Sequence, residues 1–360
     1  MTVHTDILPW ATWRETVSQP DIWRQWSTEC PVQKLRGWIA TQPFDEIWFC
    51  GAGTSAFIGD ILVAGLEGQA TKPLRALPTT DIVARPKDYL NGHKTPLVVN
   101  FGRSGNSAET LAILDLLDQL APDAPQLNIT CNPKGALALR GNHANHRLVL
   151  LPQETHDSGF AMTASFSTML LTAVGIFDDG ADLEELLPSL AQEFDRLLPA
   201  FCDLARAKPQ RIVYVGSGPL AFAAREAALK TLELSAGQIP ALWDSTLGFR
   251  HGPKSFVQPD TQIMVFLGSH PQAKLYDADL VEELREQFPN NPIVSLGPSG
   301  DIDTPSYQRD LWTVPLAVGL AQVVSIHWSH QLGLNVDDPF AGQGTLSRVV
   351  SNVRIHEVAQ

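Results

Sequence analysis

Cysteine, methionine and tyrosine are scarce in this chain, with four of each in 360 residues. Cys30, Cys50, Cys131 and Cys202 stand far apart without a C-x-x-C pair, which excludes a disulfide scaffold and a cysteine-rich zinc site. Free thiols in a reducing cytosol are the simplest reading. Positive charge is short as well: 26 Lys and Arg face 39 Asp and Glu, a formal net charge of -13. No basic cluster interleaved with aromatics breaks that balance, so nucleic acid is not an expected partner. The opening "MTVHTDILPWATWRETVSQP" carries acids and tryptophans where a secretion signal needs a basic start and an apolar stretch. Long apolar runs are lacking too. Leu311 to Trp328 has no formal charge but includes Pro315, Gln322 and Ser325, and it is barely long enough to span a bilayer. It reads as a buried strand followed by a buried helix, and a cytoplasmic protein with no membrane contact is expected.

Forty-four per cent of the residues are hydrophobic, enough at this length for a large core and for two domains. Two segments begin alike: "IWFCGAGTSAFIGDILVAGLEG" from Ile47 and "IVYVGSGPLAFAAREAALKTLE" from Ile212, each an apolar run, a Gly-x-Gly turn and a helix-spaced stretch. After Gly51 the next strand reaches its turn at Gly102, and after Gly216 the next, "IMVFL", reaches its turn at Gly268. The near-equal intervals argue for duplication. Third strands are expected at Leu127 to Cys131 and Ile293 to Leu296, and fourth strands in "RLVLLP" ending at Pro152 and "DLWTVP" ending at Pro315. Continuous apolar strands alternating with amphipathic helices predict two doubly wound α/β domains with parallel sheets. Their expected extents are 35–190 and 205–345, preceded by a helical extension over 1–34 and followed by a tail over 346–360. The tryptophan-rich stretch Trp10 to Trp26 is expected on the outside of the first domain or against another subunit.

The turn "NFGRSGNSAET", from Asn100 to Thr110, lies where an apolar strand meets a helix. Ligands of open parallel sheets bind beyond the carboxyl ends of the strands, and unpaired N–H groups at a helix start favour anions. The hydroxyls of Ser104 and Ser107, the amide of Asn106 and the charge of Arg103 suit a phosphate. Gly53, Thr54 and Ser55 would form a second wall from the neighbouring strand. The alternative is that serine and glycine merely cap a helix. Gly51-x-Gly53-x-x-Ala56 also fits a relaxed dinucleotide fingerprint, but its Asp81 is far downstream for a ribose, and the serine-rich second turn suits a monophosphate better. The second half has "LGSHP" at the equivalent place, so only the first half should hold phosphate.

In "REAALKTLELSAG" Glu226, Lys230 and Glu233 fall at i, i+4 and i+7 on one face of a helix ending near Gly237. Taken alone they read as a solvated charge stripe. His251 lies in a Gly/Pro-bounded loop, "GFRHGPKS", and the pairs His143/His146 and His327/His330 lack nearby acidic ligands, so no metal is assigned.

Four motifs in order, "GAGTSAFIGD", "FGRSGNSAET", "ETHDSGFAMT" and "GFRHGPKS", resemble the sugar isomerase (SIS) phosphosugar-binding family, present as a tandem pair over nearly the whole chain. They are most similar to the AgaS-type galactosamine-6-phosphate deaminase/isomerase branch, whose members are also called tagatose-6-phosphate ketose/aldose isomerases. The resemblance implies deamination with isomerisation of an amino-sugar phosphate and no cofactor. It implies Glu233 as the group that moves a proton between carbons 1 and 2, Lys230 as its positioning lysine, and His251 as the ring opener, supplied by a neighbouring subunit of a homodimer or higher homo-oligomer. It also adds Met162 and Thr163 of the third motif to the substrate contacts. A more distant relative is the isomerase half of glucosamine-6-phosphate synthase, whose pattern differs in two ways. Gly102 and Arg103 replace a serine and a glutamine, and Arg348 in the tail "DPFAGQGTLSRVV" stands where that enzyme has its Schiff-base lysine. An arginine stays protonated, so a covalent imine is not expected, and Arg348 would orient substrate electrostatically or lie in solvent. Plain aldose/ketose isomerisation and a non-catalytic sugar-phosphate sensor remain as alternatives.

Overall fold

The structure, a computed structural model, describes residues 7–140, 145–350 and 353–358. Its contacts divide the chain into two units, one around each sheet. The first-sheet unit comprises Ile22–Asp157, Ala164–Leu187 and Leu346–Gln360, and the second-sheet unit comprises Met1–Asp21, Ser158–Thr163 and Pro188–Thr345. The division therefore cuts the expected 1–34 extension and assigns the tail to the first sheet.

In chain order the first part runs α1 (Ala11–Val17), α2 (Gln19–Glu29), α3 (Val32–Ala40), β1 (Glu46–Gly51), α4 (Thr54–Leu66), β2 (Leu74–Pro78), α5 (Thr79–Ala84), α6 (Pro86–Tyr89), β3 (Pro96–Gly102), α7 (Ala108–Leu120), β4 (Gln126–Thr130), α8 (Ala136–Leu139), β5 (His146–Leu150) and α9 (Ala164–Phe177). Its five strands are all parallel in the order β2-β1-β3-β4-β5. Every residue of β3 and β4 is buried, as continuous apolar runs in a sheet covered on both faces require. Helix α9 is buried from Ala164 to Ile176. There Trp23 and Trp26 of α2 donate their indole N–H groups to Ser167 (3.1 Å) and Thr172 (2.8 Å), so large apolar rings enter the core with their polar atoms satisfied.

The second part continues through α10 (Leu183–Leu204), β6 (Arg211–Gly216), α11 (Pro219–Leu234), β7 (Ala241–Ser245), β8 (Thr261–Phe266), α12 (Ala273–Gln287), β9 (Ile293–Gly297), β10 (Ile302–Asp303) and α13 (Val314–Gln331). The order β10-β9-β8-β6-β7 repeats the first sheet's topology. The Gly-x-Gly turns repeat to within a few degrees. Gly53 has φ 56° and ψ -131°, and Gly218 has φ 56° and ψ -128°, conformations costly for any residue with a Cβ. A Cβ on Gly51 would lie 2.5 Å from the Ser55 backbone, and one on Gly216 2.8 Å from that of Leu220.

Three expectations need correction. "DLWTVP" is not a strand: Asp310–Thr313 forms a 3-10 turn that leads directly into α13, with Pro315 in its first turn, so the Leu311 to Trp328 run is essentially one buried helix. The edge place belongs instead to β10, paired with β9. Strands β2 and β7 follow β1 and β6 directly, so β3 and β8 are not the next strands in the chain. Finally, the tryptophan stretch is shared between the units. Trp13 of α1 packs edge-on to His327 of α13 at 5.5 Å, and Thr12 binds the Asp337 carboxylate, both within the second-sheet unit.

Candidate active site

Strands β1 and β3 are neighbours, with Cys50 level with Asn100, so the turns at their carboxyl ends lie side by side. Strand order reverses at this place, where open sheets bind ligands. One turn is Gly51 to Ser55, with Thr54 and Ser55 buried and Gly53 exposed; the other is Gly102 to Ser107. Gly105 (φ 63°) is confined by Leu137, whose Cβ would lie 3.0 Å from an added Cβ. The turn is braced from the β4–α8 loop. Asn132 donates to the Ser104 carbonyl (2.8 Å), and Ala136 N–H donates to the Asn106 side chain (2.9 Å). Asn106 is thus partly spent on holding the turn. Ser107 caps α7, accepting from Thr110 N–H at 3.2 Å, so the capping alternative describes this serine correctly. Ser104 accepts from the Asn106 N–H at 3.2 Å.

Positive charge converges here. Arg103 is 6% exposed and donates to the Arg348 carbonyl at 3.1 Å. The Arg348 guanidinium donates to the Asp157 carbonyl, and the Ala108 N–H at the start of α7 donates to the Val350 carbonyl at 3.2 Å. Arg348 is accordingly a half-buried part of this site and not a tail residue in solvent. His156 lies in the same field: burial, then the charges of Arg348 and Arg103, push its pKa below the ordinary value, against the opposing pull of Asp157. These surroundings favour its neutral form. Sequence reasoning passed over His156 because a lone histidine carries no signal until its cationic neighbours are known. Thr163 is buried and Met162 half-buried immediately before α9, in the short piece of chain that belongs to the second-sheet unit.

In that unit α11 carries the charge stripe, and it is not solvated. Lys230 and Glu226 have no exposure, and Lys230 Nζ lies 3.3 Å from Glu226 and 2.5 Å from Glu233. Burial pulls the Lys230 pKa down, but the two carboxylates more than offset this and the net direction is up. Lys230 is a fixed cation. Glu233, near the last turn of α11, keeps 23% exposure. The helix then ends through Ala236 (φ 48°) and Gly237 (φ 75°), with the Gly237 N–H bonded to the Leu232 carbonyl. This helix end presents Glu233 at an edge while keeping its countercharge dry.

His251 is exposed, on a loop held at both sides. Arg250 donates to Glu283 of α12 at 2.6 Å, and Lys254 binds the other oxygen of that carboxylate. The hydrogen bond from Lys254 leads in depressing the Glu283 pKa, with burial opposing and Arg250 adding. The other histidine pairs have structural settings or are not described. His327 is packed by Trp13, His330 accepts from Trp10 at 3.4 Å, and His143 lies outside the described residues.

A D-galactosamine-6-phosphate deaminase AgaS from Escherichia coli is 41% identical over 327 residues, covering 86% of this chain and 85% of that protein. This chain belongs to the AgaS family. The AgaS deaminase of Shewanella sp. (strain ANA-3) is 38% identical over 357 residues, covering 96% of this chain and 91% of that protein. The crystal structure of tagatose-6-phosphate ketose/aldose isomerase from Escherichia coli superimposes with a TM-score of 0.86 at 36% identity, over 96% of each chain. No profile of a known protein family matches the chain. The paired α/β architecture is thus that of the AgaS family and its phosphosugar isomerase neighbours.

Proposed function

We propose that this protein converts D-galactosamine 6-phosphate and water to D-tagatose 6-phosphate and ammonia. The single observation that carries this reading is the Glu233 carboxylate, part-exposed and backed by a buried ammonium, in a chain of the AgaS family. In this scheme Arg103, Ser104 and the Gly53–Ser55 turn hold the phosphate, with Ser107, Asn106 and the neighbouring Arg348 supporting it. Met162 and Thr163 contact the sugar. His251 opens the ring by moving a proton between the anomeric hydroxyl and the ring oxygen. Glu233 then takes the proton from carbon 2 and returns it to carbon 1, while Lys230 holds that carboxylate in place. Carbon 1 is reduced and carbon 2 oxidised by the same electron pair, so no external redox partner is needed. The resulting imine at carbon 2 adds water and expels ammonia. Arg348 stays protonated throughout and stabilises negative charge without forming a covalent bond.

The test is incubation of the purified protein with galactosamine 6-phosphate and with glucosamine 6-phosphate, assaying ammonia and ketose phosphate together. Equal yields of the two products from the galacto substrate are expected. Ketose formed from an aldose phosphate, with no ammonia from either amino sugar, would make the protein a plain isomerase. Glu233→Gln should bind the sugar phosphate as tightly as the wild type and lose turnover by about 10² to 10⁴; normal turnover removes Glu233 from the chemistry.

A further inference from the structure

The second sheet has the same strand order as the first and the same Gly-x-Gly turn, so it has the same reversal point, between β6 and β8. Donors converge there as well. Ser217 follows the first glycine of that turn, Thr246 lies just beyond β7, and Gly268, Ser269 and His270 form the turn after β8. What they bind is the chain's own negative charge. One oxygen of the Asp277 carboxylate, fully buried in α12, accepts from Ser217 Oγ and from Thr246 Oγ1, each at 2.6 Å, and the other accepts from the Gly268 N–H at 3.2 Å. The Asp310 carboxylate accepts from the Ser269 N–H and, at 3.4 Å, from the His270 N–H. Gly268 has no side chain where one would collide with Asp310 at 2.5 Å.

We propose that Asp277 and Asp310 are built-in anions that fill the second sheet's phosphate pocket, restricting each chain to one sugar phosphate. The proposal rests on the reading of the Gly102–Ser107 turn as the phosphate site. The first sheet lacks an acid at these two places, and its buried Asp157 spends its carboxylate on the start of α9, accepting from Ala164 N–H, Ser165 N–H and Ser165 Oγ. The fifth residue of α7 is Ala112, where the fifth of α12 is Asp277. The 3-10 turn after β5 begins with Gln153, where the one before α13 begins with Asp310. In the first sheet Arg103 donates to the Arg348 carbonyl at 3.1 Å and the Ala108 N–H to the Val350 carbonyl at 3.2 Å, neutral acceptors against which an incoming phosphate dianion can compete. In the second, the acceptors are carboxylates, and the two hydroxyl contacts on Asp277 are short at 2.6 Å. The local field reverses with them: Arg103 and Arg348 stand beside the first turn, whereas Asp310 adds its repulsion to the burial that raises the Asp277 pKa. A phosphate arriving there meets two negative charges and finds its donors taken.

Grafting the first half's residues onto the second tests this. Wild type, Arg103→Ala, and Arg103→Ala combined with Asp277→Ala and Asp310→Gln are titrated calorimetrically with inorganic phosphate, and their melting is followed across phosphate concentrations. The expected result is one site per chain in wild type, its loss in Arg103→Ala, and in the triple variant a regained site binding about ten-fold or more tighter than Arg103→Ala does. Should the triple variant be unstable without ligand, phosphate should raise its melting temperature more than it raises that of Arg103→Ala. The absence of both a regained site and such a rise would overturn the proposal. Wild-type binding that survives Arg103→Ala would instead count against the first-half phosphate site, independently of the second.

Discussion

Lys230 has no exposed surface, and two carboxylates are within ion-pair distance of it. Removing an ammonium from such a site strands the equally buried Glu226, and breaking a buried pair from one side costs far more than the pair contributes. Lys230→Met is therefore expected to lower the unfolding free energy by about 3–5 kcal/mol. Lys230→Met combined with Glu226→Gln should recover most of that loss. Urea denaturation of both variants checks it; a stable single variant, or a double variant no better than the single, would show that the pair is not the buried charge balance described. The spacing of Glu226, Lys230 and Glu233 was legible in the sequence. Their burial was not, because a stripe of alternating charge looks the same whether it faces water or the flank of another helix. Here α11 lies against the apolar α13, and Thr231 shares hydrogen bonds with Tyr214 (2.9 Å) and Ser325 (3.0 Å), which leaves no room for solvent on that side. Ser107 was ambiguous in another way, since a serine before a helix can bind an anion or cap the helix, and here its oxygen accepts from Thr110.

The central strands were readable from their apolar runs, whereas the edges were not. Strand β7 is only half-buried at all five residues, and β2 includes Arg75 and Pro78, so neither shows the continuous apolar signature of a strand covered on both faces. The "DLWTVP" error has the opposite cause: a short apolar run fits a buried strand or a buried helix equally well, and only the partner decides. At this scale the His251 loop also gains a testable property. Its charged clamp on α12 is the carboxylate of Glu283, whose pKa lies below the usual 4.5 in the folded protein, with Lys254 also reaching Gln287 at 3.1 Å. A depressed carboxylate contributes stability that is complete above the unfolded value and is lost as pH falls through the folded one. The protection of residues 248–256 against hydrogen exchange, taken relative to the unfolded chain at each pH, should therefore hold at neutral pH and fall as pH drops below the ordinary carboxylate range. Glu283→Gln should show reduced protection already at pH 7, and its protection should not fall further across the carboxylate range. Equal protection in the variant would mean that the loop is held by something other than this clamp.

At the scale of the whole molecule, a chain with net charge -13 that is to bind a phosphate dianion, as proposed, must gather its cations locally. The first-sheet turn does so with Arg103 and Arg348, while the second sheet turns the same architecture to the opposite charge. On the proposed reading, duplication left two reversal points of one design and two fates, one open to phosphate and one closed by aspartate. If the proposed chemistry draws Glu233 and His251 from different subunits of a symmetric dimer, each active site contains one of each from opposite chains. Glu233→Gln and His251→Asn homodimers would then both be inactive. A heterodimer of the two variants would concentrate both defects in one site and leave the other intact. Co-expressed with different affinity tags and purified through both, it should show about half of the wild-type activity, since one of two equivalent sites is whole. If both residues serve a site within a single subunit, every site in that heterodimer contains one defect and no activity returns. Sedimentation of the purified species, run alongside, separates that outcome from a failure of the chains to associate.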